Sequence, residues 1–166
     1  MNTPAVESTE SKAAAERVLS YEEERGKPMP SYNHSWVQSN LIGEFLKNRD
    51  YRIHSELTLE IQGQRYTPDI SLYPPSEPID LRHDIIRQTV PPLLAVEILS
   101  LQQGSHEVMQ KVDVYFAHGV KSCWVVTPSA HTVSIYTADG GTQHLTSGVA
   151  TDPVLGVAAD LDAVFS

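Results

Sequence analysis

The chain has 166 residues, 40% of them apolar and 20% charged, with 11 prolines and 9 glycines. That length suits one domain with a sizeable core, and that composition excludes a wholly disordered or collagen-like polymer. Twelve Lys and Arg against 21 Asp and Glu leave a net charge of −9, which argues against long-range steering toward phosphate backbones, so a nucleic-acid role needs basic residues gathered on one face or carboxylates neutralised by metal.

No stretch approaches the roughly 18–20 apolar residues of a membrane helix, and the N-terminus lacks the basic-then-apolar order of a secretory signal. The single cysteine, Cys123, can form neither an internal disulfide nor, by itself, a thiolate metal site. A protein of the reducing cytoplasm with no membrane segment is the expectation. Residues 1–20 are rich in Ala, Ser, Thr and Glu and read as a flexible leader that becomes helical near Ala13–Leu19; residues 21–166 read as one domain.

In chain order, GKPMPSYNHS is a Pro- and Gly-bearing turn whose Asn33 or Ser35 can cap a helix running to about Lys47. Val37, Leu41, Ile42, Phe45 and Leu46 share one face of that helix, which must pack on something flat. From Tyr51 to Tyr73, apolar and polar residues alternate on both sides of Gln62-Gly63, the period-2 pattern of a hairpin. A two-residue loop there pairs Ile53 with Leu72, Leu57 with Pro68 and Leu59 with Tyr66 on one face, and Glu60 with Arg65 and Glu56 with Asp69 on the other. The last pair sets two carboxylates side by side, which is unfavourable without a cation or proton between them.

A Pro-rich connection with a short helical turn near Asp80–Arg87 follows. PPLLAVEILS is apolar on both faces, the mark of a central strand, broken only by Glu97. A carboxylate there sits at the strand's exposed end, carries a proton, or binds a cation. Val108, Val112, Tyr115 and Phe116 mark an amphipathic helix over Gln103–His118 that Gly119 can end. KSCWVVTP and HTVSIYTAD form a strand pair joined by Pro128-Ser129-Ala130, and DLDAVF closes the chain as a short helix. The expected fold is α/β, a central mixed β-sheet flanked by helices.

Glu56, Asp69 and Glu97 thus converge, and an oxygen-only ligand set suits a hard cation such as Mg²⁺, which can activate water and stabilise a phosphorane-like transition state. Lys111, at the edge of the apolar stripe of the Gln103–His118 helix, can lay its stem on apolar surface and bring its ammonium beside the same strand end. Pro68-Asp69, then Glu97 in an apolar strand and a helix with a lysine, resembles the PD-(D/E)XK nucleases. More narrowly, TPDISLYPP, PPLLAVEILS and EVMQKVDVYFAHGVKSCWVVTP, with RGKPMPSYNHS and TDPVLG, resemble the restriction-endonuclease family often called Uma-two, over roughly Glu22 to the C-terminus. The resemblance implies a restriction-endonuclease-like fold, a Mg²⁺-dependent centre acting on DNA (Mn²⁺ as substitute) and a homodimer. It also implies Asp69, Glu97 and the Ile98 carbonyl as metal ligands, Glu56 as an accessory acid and Lys111 as the catalytic cation. One departure is plain: the superfamily places a lysine two residues after the second acid, and here that residue is Leu99.

Each of these residues also has a structural reading: Asp69 as a hairpin-end residue bonded to backbone, Glu97 in an ion pair, Glu56 solvated, Lys111 on the surface. Two other functions stand beside the nuclease. One is a binding or scaffold module that has lost catalysis, favoured by the net charge and Leu99. The other is a homo-oligomeric structural protein with Trp124 and Tyr136 at its interface. The histidines His34, His54, His83, His106 and His118 match no zinc spacing; His34, near a helix start, suits a local hydrogen bond or a phosphate contact. Cys123 reads as core.

Overall fold

The structure, a computed structural model, describes residues 17–75 and 78–166. Most of the helix expected near Ala13–Leu19 therefore lies outside the described residues, and 17–20 are not helical. Helix α1, Tyr21–Arg25, is one turn opened by a capping box between Ser20 and Glu23 and ended by Gly26, whose φ of +67° is left-handed. Helix α2 spans Tyr32–Phe45, and its N-cap is Ser31, whose hydroxyl accepts from the His34 N–H. This corrects the expected cap at Asn33 or Ser35. Ser31 follows Pro30 and is extended (φ −76°, ψ 171°), so the helix begins before either candidate is reached.

The hairpin keeps the expected register but splits into two sheets. Strand β1 (Arg52–Ser55) and β2 (Thr58–Ile61) are separated at Glu56, whose φ of +54° bends the chain. On the return limb, β3 (Gln64–Tyr66) pairs with β2, with Leu59 opposite Tyr66, and β4 (Ile70–Tyr73) pairs with β1, with Ile53 opposite Leu72. The expected turn near Asp80–Arg87 instead leads into a short strand β5 (Arg87–Gln88), parallel to β2. Strand β6 (Leu94–Ile98), helix α3 (Ser105–His118) and strand β7 (Ser122–Thr127) follow. Gly119, at φ +111°, ends α3. After a 3-10 turn at Pro128–Ala130 come β8 (Thr132–Thr137), β9 (Thr142–Leu145), β10 (Val149–Thr151), β11 (Ala158–Asp160) and α4 (Leu161–Phe165).

The main sheet runs β1-β4-β6-β7-β8-β9, with β6 and β7 parallel and every other neighbouring pair antiparallel. Helix α3 is the crossover that the parallel pair requires. One face of the sheet, through Leu94, Val96 and Ile98 of β6, packs on Val37, Leu41 and Phe45 of α2 and on Leu161 and Val164 of α4. The other, through Ala95 and Val125, packs on Val108, Val112 and Tyr115 of α3. Strand β6 is buried along its whole length, as its two-sided apolar pattern requires. Trp124 is fully buried edge-on against Phe45. It is therefore core and supplies no interface, which corrects that expectation for an oligomer. Cys123 is core too. Among the described residues no helix is long and apolar enough to cross a membrane.

Candidate active site

The site lies where β6 and β7 end, at the carboxyl edge of the only parallel pair in the main sheet, the place where open sheets leave a crevice for ligands. Asp69 precedes β4, and its backbone is tied on both sides: its N–H donates to the Val96 carbonyl at 2.9 Å and its carbonyl accepts from Gln38 Nε2 at 2.9 Å. Its side chain is 1% exposed. Oδ2 accepts the Ile98 N–H at 2.6 Å, and Oδ1 faces Lys27 Nζ at 2.5 Å and His34 Nε2 at 3.1 Å.

Glu97 is 2% exposed and points to the α3 side of the sheet, where its Oε1 accepts from the Tyr115 hydroxyl at 2.5 Å and its Oε2 lies 3.5 Å from Lys111 Nζ. Lys111 and Tyr115 are four positions apart, so one face of α3 carries both. The two acids lean in opposite directions. Burial pushes Asp69 up, but the hydrogen bond from His34 and the charge of Lys27 prevail and hold it below the usual carboxylate range. Burial also pushes Glu97 up, and Asp69 adds to that; Lys27, Lys111 and the Tyr115 bond oppose it without winning, so Glu97 ends above its ordinary value.

Glu56 sits opposite Asp69 along the backbone, its N–H donating to the Asp69 carbonyl at 3.1 Å. The left-handed turn at Glu56 delivers its carboxylate to other partners: Oε1 accepts from Arg25 Nη2 and Oε2 from the Tyr21 hydroxyl, each at 2.5 Å. Arg25, 3% exposed, also donates to the Pro28 carbonyl at 2.6 Å. Glu56 therefore clamps the segment that carries Lys27, through Arg25. The crowding of two acids expected at this pair is resolved by giving each its own cation.

Lys27 and Tyr115 were not legible as site residues. Lys27 lies in an aperiodic turn, where the only signal was its place beside Pro28, and Tyr115 reads as one more apolar position on its helix. His34, an ambiguous helix-start histidine in the sequence, turns its ring onto Asp69.

Among the described residues no three His, Cys, Asp or Glu side chains form a group that could hold a metal ion. Two carboxylates and a backbone carbonyl are nevertheless hard oxygen donors, and Mg²⁺ takes one or two carboxylates and keeps several waters. The donor set fits such an ion provided Lys27 moves off Asp69 Oδ1, since the ammonium occupies that oxygen.

The sequence profile of the Uma2 family, described as "Putative restriction endonuclease", matches residues 16–161. The chain belongs to the Uma2 family. Among solved structures it is similar to a putative nuclease from Anabaena variabilis, at 26% identity and a TM-score of 0.68, over 83% of each chain. No curated protein matches it. Family and fold together support a restriction-endonuclease-like nuclease, with DNA the substrate that such a family implies.

Proposed function

We propose that this Uma2 protein is a Mg²⁺-dependent endodeoxyribonuclease, with Mn²⁺ an effective substitute. The observation that carries it is the pairing of two almost inaccessible carboxylates, Asp69 and Glu97, with two ammonium groups, Lys27 and Lys111, at the carboxyl ends of β6 and β7, beside a cleft that His34 lines. Asp69, Glu97 and the Ile98 carbonyl would hold the ion. Bound there, it would lower the pKa of water and neutralise charge on the phosphoryl oxygens.

The chain's own groups divide the remaining work. Water adds to phosphorus, the P–O bond to one sugar breaks, and the leaving oxygen takes a proton from solvent water. The proton lost by the attacking water passes to a neighbouring water, which leaves the Glu97 carboxylate ionised to hold the ion. Lys27 and Lys111 stabilise the added negative charge of the phosphorane. His34 and the Ile98 N–H keep Asp69 oriented and ionised. Glu56 is a positioning residue that, through Arg25, holds the backbone of the segment that carries Lys27.

Calorimetric titration of Mn²⁺ into wild type and Asp69→Ala, then incubation of both with plasmid and with single-stranded DNA, tests the proposal. Wild type binds the ion and nicks DNA, and the variant does neither. Full cleavage by Asp69→Ala overturns the assignment. A second reading, a binding module without catalysis, rests on a specific observation: two acids and two lysines already balance in charge without a metal. No Mn²⁺ binding and no nicking by a folded wild type would favour it. We extend the proposal to a cytoplasmic homodimer. The surface available to a second copy is the segment 79–90, where Ile79, Leu81, Ile85, Ile86 and Val90 are each more than half exposed.

A further inference from the structure

Beside the acids, between the start of α2 and the ends of β6 and β7, lies a cavity of about 280 Å³. Its wall is shared with the site: His34, which touches Asp69, and Leu99 and Ser100, which follow Glu97, all line it. No Lys, Arg, Asp or Glu side chain lines it. Instead Asn33, Ser100, Gln103 and Ser129 present amides and hydroxyls, and Leu99, Leu101 and Pro128 form apolar wall.

These polar groups are available. The Ser100 hydroxyl is buried without a hydrogen-bond partner, and the side chains of Asn33, Gln103 and Ser129 make no hydrogen bond with the described residues. A buried hydroxyl without a partner costs free energy that a ligand group can recover. A neutral lining of donors and acceptors with an apolar wall matches the faces and edges of a base and the sugar beside it, not a phosphate, which calls for cations. The cations near the acids are already engaged, with Arg25 on Glu56, Lys27 on Asp69 and Lys111 on Glu97.

We propose that this cleft seats a single unpaired nucleoside next to the scissile phosphate, so that the enzyme acts on single-stranded or unpaired DNA. The inference rests on the nuclease reading above and adds the substrate class. Size supports it, because a cavity below the roughly 300–1,000 Å³ of ligand pockets admits one nucleoside and not a base pair. Depth supports it too. Asp69 and Glu97, 1% and 2% exposed, lie behind the cleft wall that His34 forms, and an unstacked nucleotide enters such a cleft where a duplex backbone stays at the surface.

The test is fluorescence anisotropy with a labelled single-stranded DNA hexamer and with the same hexamer as a duplex, in EDTA so that neither is cut. The single strand binds at least about tenfold tighter than the duplex, and Asn33→Ala/Gln103→Ala loses at least about tenfold for the single strand. Raising salt from 50 to 200 mM weakens binding by less than the roughly 10³–10⁵ seen when six to ten phosphates are contacted. Ser129→Tyr, which fills the cleft from an exposed turn, gives the same loss and guards against misfolding of the double variant, and thermal melting is recorded for both. Equal affinity for duplex and single strand, unchanged binding by the folded variants, or binding of neither DNA overturns the inference. Because binding is read without metal, a wild type that holds the single strand yet does not cut single-stranded DNA in Mn²⁺ fails the nuclease reading separately.

Discussion

Asp69 and Glu97 are buried to nearly the same degree, yet neighbours decide their charge. Asp69 keeps a low pKa because His34 and Lys27 meet it directly; its stabilisation is present above the ordinary carboxylate range and is lost as pH falls through the lowered value. Glu97 is the reverse: its raised pKa means that the folded state holds the proton more tightly than the unfolded chain, so its contribution is best in acid and is lost as pH rises through the raised value. Glu97→Gln keeps an acceptor for the Tyr115 hydroxyl and removes a poorly compensated charge. It raises stability by about 1 kcal/mol in urea denaturation near neutral pH, with the gain fading in acid, while it abolishes cleavage. Lys27→Met acts oppositely. It leaves Asp69 with one fewer cation and costs about 3 kcal/mol, and saturating Mn²⁺ restores part of that loss in the same denaturation assay, because the ion takes the vacated oxygen.

At the scale of elements, the informative features are where strands break and what holds the turns. The alternation around Gln62-Gly63 determines register on both limbs, since a slip by one residue would turn Ile53, Leu59 and Leu72 to the wrong face. It says nothing of the division into two sheets, which follows from the bend at Glu56. A second device sits in the TDPVLG turn. Asp152, 1% exposed, accepts from the Ser122 hydroxyl, from Trp124 Nε1 at 2.8 Å and from the N–H groups of Val154 and Leu155 at 3.0 and 2.8 Å. It ties the turn before β11 to the middle of β7. Asp152→Ala leaves a buried indole N–H and hydroxyl without that acceptor, so equilibrium denaturation should show a loss of about 3 kcal/mol. The sequence marks TDPVLG only as a turn, because the partners of a buried carboxylate lie on other elements.

Over the whole molecule, the −9 charge and the engaged state of the cations around the acids leave phosphate attraction weak. Binding strength then has to come from neutral contacts, which is why the cleft carries substrate choice. The apolar side chains along 79–90 belong to the same scale. Leu81→Lys/Ile86→Lys converts a dimer to a monomer in light scattering and leaves the melting temperature within a degree or two, because neither side chain is in the core.

Periodicity was enough for the central strand, the third helix, the hairpin register and the Trp124 strand pair, because burial on one face or two is written directly into the order of apolar residues. The same order singled out Glu97, a carboxylate conspicuous in an apolar run, and Asp69, which the hairpin register sets opposite Glu56. Lys27, His34 and the clamp of Arg25 on Glu56 were decided by tertiary structure alone. Arg25 ends α1, Lys27 lies in the turn after it and His34 opens α2, 31 to 42 positions before the acids they meet, and a turn has no period. What brings an ammonium from that turn to a buried carboxylate is the electrostatic cost of leaving the carboxylate alone, a cost that exists only once the sheet has closed around it.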